Sequence, residues 1–513
     1  MMDAYQLLRP YGLSDLLREQ RRSRPNMIAA VDGANRYTYR EMDARVNRLA
    51  TALARLGVDR GDRLLWLGQN SARLTELIFA AAKLGAIACP ANWRLSAREI
   101  GDIIEDFDPK VVFWQQAELG EQYHIGRREW QTEERVWIQQ DGEGTDSYEA
   151  LLLTGQDVDP GIADDPNASV FAIYTAAFSG RPGAALLSHT AVLLQAMLSA
   201  RGQAVDETSR YLVSGPMFHI GVMMGTFATI AFGGTCIYVA RIDPAEVVKI
   251  IHDERVTHGF LPEPVIAPMR EANKDGRYDL SSLFEEPDLS DYRSAIVLPK
   301  HAPMRQTAGV YGQTEAMGMI TLAWLGGSGA GRPAPFVSLR IADDAGNELP
   351  HGEVGEIELR GPFVMNGYHN RPEENAARTR DGWHRTRDLG RRLEDGSVVF
   401  VGPKTTMIKS GVENIYPAEV EACLKRMDGI QDCCIIGIPS PEWDQDVKAI
   451  IVPSPGATIT LDAVVAHCRA NLASYKKPKH IAIVEALPRR ADGMLDREQA
   501  DRDHGGGGYP KVG

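Results

Sequence analysis

From Thr38 onward the chain alternates helical periods with short apolar runs, and this alternation limits the fold more than any other feature. Thr38-Tyr39-Arg40-Glu41 opens a helix whose Met42, Val46, Leu49, Leu53 and Leu56 recur at helical spacing. Asp62–Leu67 reads as a strand, Thr75–Leu84 as a helix ended by Gly85, and Ala86–Pro90 as the next strand. Strand, helix and strand joined by short links predict a parallel sheet. A similar unit is expected from Ser169 onward and another near Val247–Ile266. Between about 336 and 401 the texture changes to short strands with turn signals such as Asp344-Ala345-Gly346-Asn347 and Glu394-Asp395-Gly396. Beyond Gly402 a compact block follows: a helix over Glu419–Arg426, strands over Asp432–Ile438 and Val447–Val452, and a helix over Leu461–Leu472.

A chain of 513 residues exceeds the ~250–300 that one core usually supports, so more than one domain is expected. Hydrophobic residues make up 44%, as in folded globular proteins. The net charge is −13 and no basic block occurs, which removes the electrostatic footprint of a nucleic-acid binder. The cysteines are Cys89, Cys236, Cys423, Cys433, Cys434 and Cys468, without a C-x-x-C pair. They read as reduced core thiols, which suits a cytoplasmic protein. The charged N-terminal stretch lacks an apolar core segment and is not expected to act as a secretory signal. Ile220–Ala240 carries no charge, but its Gly233-Gly234 break makes it a buried helix leading into a strand over Thr235–Ala240 rather than a membrane span.

The most informative stretch is Ser169–His189. An apolar strand, Val170–Tyr174, runs into a small-residue loop with Thr175, Ser179, Gly180, Pro182 and Gly183, and a helix is expected from about Thr190. Strand, small-residue loop and helix gather backbone N–H groups toward a phosphate. A plain turn reads equally well from this loop alone, and it is not a Walker A loop. Further motifs follow in order: Pro216-Met217-Phe218-His219, Tyr311-Gly312-Gln313-Thr314-Glu315, Gly367-Tyr368, Thr386 with Asp388-Leu389-Gly390, Lys404, Ile408-Lys409-Ser410-Gly411, Glu413-Asn414-Ile415 and Tyr475-Lys476-Lys477-Pro478.

In this order and spacing the set resembles the adenylate-forming superfamily of acyl- and aryl-CoA synthetases, adenylation domains and luciferases, from about Tyr37 to Arg497. The resemblance implies an α/β fold, with a large N-terminal part over 1–401 made of two α/β subdomains and a β-rich subdomain. A small mobile α+β lid over 402–513 completes it. It also implies an acyl-CoA synthetase using ATP, Mg²⁺ and CoA on a carboxylic acid of the fatty-acid type. Tyr311 would then stack on adenine beside Gly312, Thr314 would bond the α-phosphate, Glu315 would hold Mg²⁺ and Asp388 the ribose. Thr175, Ser179 and Gly180 would belong to the pyrophosphate loop, and His219 would sit beside the acyl carboxylate. Lys404, Lys409 and Asn414 would serve the nucleotide from the lid, with Gly411 near the pantetheine path. Each has a plainer reading: Asp388 as a turn cap, Glu315 as a solvated carboxylate, His219 as a core histidine. His189 is read as structural.

The departures from the family pattern fall on cations. Gly183, Pro403, Thr405 and Met494 stand where the pattern has basic or hinge residues, with Arg181, Arg489 and Arg490 close by in sequence, and Val412 replaces a glycine. Loss of a cation slows phosphoryl-transfer chemistry. Two other readings therefore stay open: a nucleotide- and acyl-binding homologue with impaired turnover, and a ligase that loads a carrier-protein thiol. Gly221 and Gly225 are expected to leave room for a long or bulky acyl group.

Overall fold

The computed structural model describes residues 11–117, 119, 129–132, 134–161, 165–175, 182–284, 296–307, 310–327, 331–404, 407–411, 413–489 and 495–507. Two six-stranded, mostly parallel sheets form the large part. In spatial order the first runs Val136–Gln139, Val111–Trp114, Arg63–Leu67, Ile87–Pro90, Ser169–Thr175, Gly183–Ser188. The second runs Ile296–Val297, His258–Phe260, Arg210–Val213, Thr235–Tyr238, Ile28–Asp32, Asn35–Thr38. The predicted opening unit is present. Helix Tyr39–Arg55 is capped by Thr38, whose hydroxyl accepts from Glu41 N–H while Glu41 accepts from Thr38 N–H at 2.8 Å. Helix Ala72–Leu84 stops at Gly85, which takes φ +70°.

That second helix is buried along its whole length apart from Arg73. Its apolar side chains join the main core with residues from both sheets. Its two buried charges survive because each is paired. Glu76 accepts from Arg45 at 2.6 Å and from Tyr148 at 2.7 Å, and Lys83 donates to Asp43 at 2.7 Å and Asp159 at 2.9 Å.

One expectation is corrected. The loop after Thr175 does not lead into a helix: the chain returns as an antiparallel strand, Gly183–Ser188, paired Thr175↔Gly183 through Phe171↔Leu187. Helix His189–Gln203 begins after that strand, where a helix is expected. No helix N-terminus follows the loop directly, so any phosphate contact there would be made by hairpin-loop atoms. Ser179, Gly180 and Arg181 lie outside the described residues. His189 is buried and accepts from Leu13 N–H through Nδ1, in keeping with its structural reading.

Residues 338–403 hold the expected β-rich unit, an antiparallel five-stranded sheet whose order is Ser338–Ala342, Gly355–Arg360, Trp383–Arg392, Thr379–Arg380, with Val398–Pro403 also paired to Trp383–Arg392. Residues 408–483 supply a last five-stranded sheet, with helices Pro417–Leu424 and Leu461–Asn471 on one face. Cys433 and Cys434 point to opposite faces of its strand Ile430–Ser440, one into each apolar cluster. All six cysteines are buried and unbonded to one another. Ile220–Phe232 is a helix closed by Gly233 at φ +82° and followed by the strand Thr235–Tyr238, as expected. Among the described residues no helix is long and apolar enough to cross a membrane.

The last sheet's block meets the large part along residues 92–99. Lys476 Nζ donates to Glu99 and to Glu419, both at 2.7 Å, and Arg98 donates to Asn471 at 3.1 Å.

Candidate functional site

A cavity of about 1270 Å³ opens where the sheets meet, with walls from both the large part and the last block. One wall is the hairpin Val310–Gln313 and Gly318–Leu322. Gly312 is required there, since a Cβ would fall 2.2 Å from the Gly318 carbonyl oxygen. A short 3-10 turn, Thr314–Ala316, bridges the hairpin and turns Glu315 inward.

Tyr311 is buried with its ring stacked on Phe400, centroids 5.3 Å apart and planes 18° from parallel. Its hydroxyl donates to Asp388 Oδ2 at 2.8 Å, and Gln313 donates to the same oxygen. Asp388 sits on the long strand Trp383–Arg392, and its own N–H donates to Thr386 Oγ1. Burial pushes the Asp388 carboxyl up to about 6; the Tyr311 and Gln313 donors pull the other way, and the Glu315 charge adds to the rise. Asp388 is thus an acceptor already fed by two donors, rather than a turn cap.

Glu315 is buried, and its Oε1 accepts from Tyr368 at 2.6 Å, so the solvated reading is set aside. The buried Arg378 guanidinium lies over the Tyr368 ring at 5.6 Å and pairs with Glu374 at 3.0 Å. The Tyr368 ring also explains Gly183. A Cβ at 183 would fall 2.8 Å from Tyr368 Cδ1, so a larger side chain there meets that ring.

His219 is the first residue before helix Ile220–Phe232 and is a third exposed on the cavity, not a core histidine. Its Nε2 lies 3.5 Å from Glu413 Oε1, which also faces Arg94 at 3.4 Å. Burial raises the Glu413 carboxyl, but His219, Arg94 and Lys476 outweigh it, and its pKa ends below the usual carboxylate range.

Thr175, Tyr311, Gly312, Thr314, Glu315, Asp388, His219, Lys409 and Asn414 all line this cavity. Lys409 and Asn414 face each other across paired strands. Two expected residues stand apart from the lining. Lys404 is engaged by Asp344 at 2.8 Å and Glu356 at 3.1 Å, and Gly411, at φ +61°, packs on Trp443. Arg489 pairs with Asp432 at 2.6 Å on the last block. The Gly225 expectation is also corrected, because a Cβ there would overlap the Tyr211 ring at 2.5 Å and the residue faces protein rather than an acyl space. Around Gly221 no atom lies within 4 Å of such a Cβ.

Sequence reasoning assigned no part to Phe400, Glu413, Tyr368 or Arg378. Tyr368 and Glu413 lay inside quoted motifs. Phe400 sits in the apolar run Val398–Val401, where nothing local distinguishes a ring that faces the cavity.

Among the described residues no group of three or more His, Cys, Asp or Glu side chains could hold a metal ion by itself. One buried carboxylate, Glu315, fits the way Mg²⁺ is commonly held, by one or two carboxylates together with substrate phosphates.

The sequence profile of AMP-binding enzymes matches residues 17–369, and that of the AMP-binding enzyme C-terminal domain matches residues 419–493. The chain is 32% identical to a feruloyl-CoA synthase of an Amycolatopsis species, over 97% of this chain and all of the relative. It is 29% identical to a long-chain-fatty-acid–CoA ligase of Mycobacterium tuberculosis, over 94% and 96% of the two chains. The o-succinylbenzoate CoA synthetase of Bacillus subtilis has the same fold, with a TM-score of 0.77 at 24% identity over 94% of this chain and 97% of that one. The chain belongs to the AMP-binding enzyme family, within its acyl- and aryl-CoA ligase branch.

Proposed function

We propose that the chain is an AMP-forming acid–thiol ligase that activates a carboxylic acid with ATP and transfers the acyl group to CoA. The observation that carries this reading is the wall formed by Tyr311, Gln313 and Asp388, a flat aromatic face beside a half-buried acceptor, with Thr314 and Glu315 on the next turn. Adenine stacks against Tyr311, and the ribose hydroxyls donate to Asp388. Thr314 donates to the α-phosphate. Glu315 would hold Mg²⁺, which when bound neutralises charge on the phosphate oxygens.

A carboxylate oxygen attacks the α-phosphorus and pyrophosphate leaves with the broken P–O bond. The CoA thiol then loses its proton to solvent, its sulfur attacks the acyl carbon, and the C–O bond breaks with AMP leaving as the phosphate anion. His219 lies beside the acyl carboxyl, while Lys409 and Asn414 close over the adenylate. Residues 402–513 act as a lid on a body of 1–401, and the lid rotates between the two half-reactions. Pro403 fixes its own φ, so the pivot falls at Thr405-Thr406, outside the described residues.

The test is pyrophosphate release and thioester formation with a panel of aryl and fatty acids. Turnover of an acid supports the reading. Tight nucleotide binding with no turnover of any acid favours the impaired homologue, and transfer to a carrier protein but not to CoA favours the carrier-loading ligase.

A further inference from the structure

The cavity wall leading away from His219 and Thr314 is apolar. On the helix, Ile220 and Met224 lie one turn apart, and both line the cavity. On the facing hairpin, Gly312, Gly318 and Met319 line it. Gly318 holds φ +126°, and a Cβ on it would fall 2.1 Å from Met224 Sδ. The thioether therefore lies directly on glycine backbone, in space that any side chain at 318 would fill. Behind it the space is packed. Met224 rests against the cluster of Met319, Leu322 and Ala334, which Leu198, Met304 and Trp324 also join. Trp324 and Met304 press in turn on helix His189–Gln203, where a Cβ on Gly202 would fall 2.7 Å from the indole.

The depth left for a substrate follows from helix geometry. Met224 stands five positions beyond His219, and a helix rises about 1.5 Å per residue, so the wall runs roughly 7.5 Å. An extended chain gains about 1.2 Å per bond, so this length suits about six bonds or one aryl ring. Two polarisable thioethers, Met224 and Met319, line this end, and sulfur makes favourable contacts with aromatic rings.

We propose that Met224, seated on Gly318, is the end wall of the acyl compartment, so that the enzyme selects compact acids, one aryl ring or a short chain in size, over long straight-chain acids. This inference rests on the adenylate-forming reading above.

The test measures binding rather than turnover, so that slow chemistry does not obscure it. Nonhydrolysable acyl-sulfamoyl adenosines carrying acetyl, benzoyl, hexanoyl and dodecanoyl groups are titrated by calorimetry into the full chain. The parent should bind the benzoyl and hexanoyl mimics at least about thirtyfold more tightly than the dodecanoyl mimic, since a single misfitting methylene is worth about tenfold or more. Met224→Ala should cut the ratio of the dodecanoyl Kd to the hexanoyl Kd by about tenfold, and Met224→Leu, of similar volume, should restore it. Met224→Phe is the opposite arm, and its added bulk should weaken the hexanoyl mimic relative to the acetyl one. Equal parent affinity for hexanoyl and dodecanoyl mimics, or ratios that no Met224 variant moves, would overturn this inference alone. Failure of every mimic to bind would overturn the adenylate-forming reading with it.

Discussion

The wall of Tyr311, Gln313, Asp388 and Phe400 differs from the edge around Thr175, Pro182 and Gly183 in what its side chains supply. On the first, two donors converge on one half-buried carboxylate, and every member sits in a paired strand. On the second, Thr175 offers its hydroxyl to the Gly183 carbonyl, and the Tyr368 ring occupies the room that a side chain at 183 would need. On the proposed reading, recognition of a nucleoside and supply of positive charge to phosphates would therefore be built in separate places. One can be kept while the other is thinned.

The largest expected effect comes from restoring charge. Met494→Lys should raise the rate of acyl-adenylate formation by about a hundredfold or more, because a cation on a transferring phosphoryl group is commonly worth thousands-fold. Conversion of preformed adenylate to thioester should change little. Single-turnover kinetics on each half-reaction checks this, and an unaltered adenylation rate would mean that the missing lysine is not the bottleneck. Asp388→Ala, on the other wall, should weaken AMP binding by more than about tenfold, roughly 1.4 kcal/mol. Equal affinities by calorimetry would break the assignment of that wall.

A smaller effect sharpens the same point through protons. Asp388 is raised to about 6 in the folded chain, above its ordinary value of about 4. The folded state then holds the proton more tightly than the unfolded one, so stability falls as pH rises from about 4 to about 6 and levels off above. Asp388→Asn should remove that part of the slope in denaturant titrations. Ribose hydroxyls donating to Asp388 favour its charged form. AMP binding near pH 6 should therefore release protons, read as a dependence of the apparent enthalpy on buffer ionisation. The smallest effect concerns the lid. Glu99→Gln leaves Lys476 paired with Glu419 but removes its charge partner on the body. Labels on the two parts should then report a modest shift toward longer distances, and distances unchanged in the variant and in ATP-bound and CoA-bound states would argue against a rotating lid.

Much of this was legible in the sequence for a physical reason. The opening unit declared itself through helical spacing and Gly85, and Tyr311–Glu315 is a contiguous motif whose turn geometry travels with it. Strand Gly183–Ser188 was missed because Ala184–Leu187 is continuously apolar, and a mostly buried strand lacks the alternation that marks a half-buried one. The contacts of Gly225 with Tyr211, of Gly183 with Tyr368 and of Gly318 with Met224 join distant or differently folded segments. A glycine's neighbour across space leaves no trace in its own neighbourhood along the chain.

The lining of the cavity runs from Pro90 to Gly507 along the chain. Such a site can close only after segments hundreds of residues apart have docked, which makes it a late event in folding. A nucleotide that binds there stabilises only molecules in which both blocks are already in place. Bound AMP should therefore slow hydrogen exchange most at amides whose exchange requires the blocks to separate. Amides at the fraying ends of helices, which open without disturbing the site, should exchange at unchanged rates.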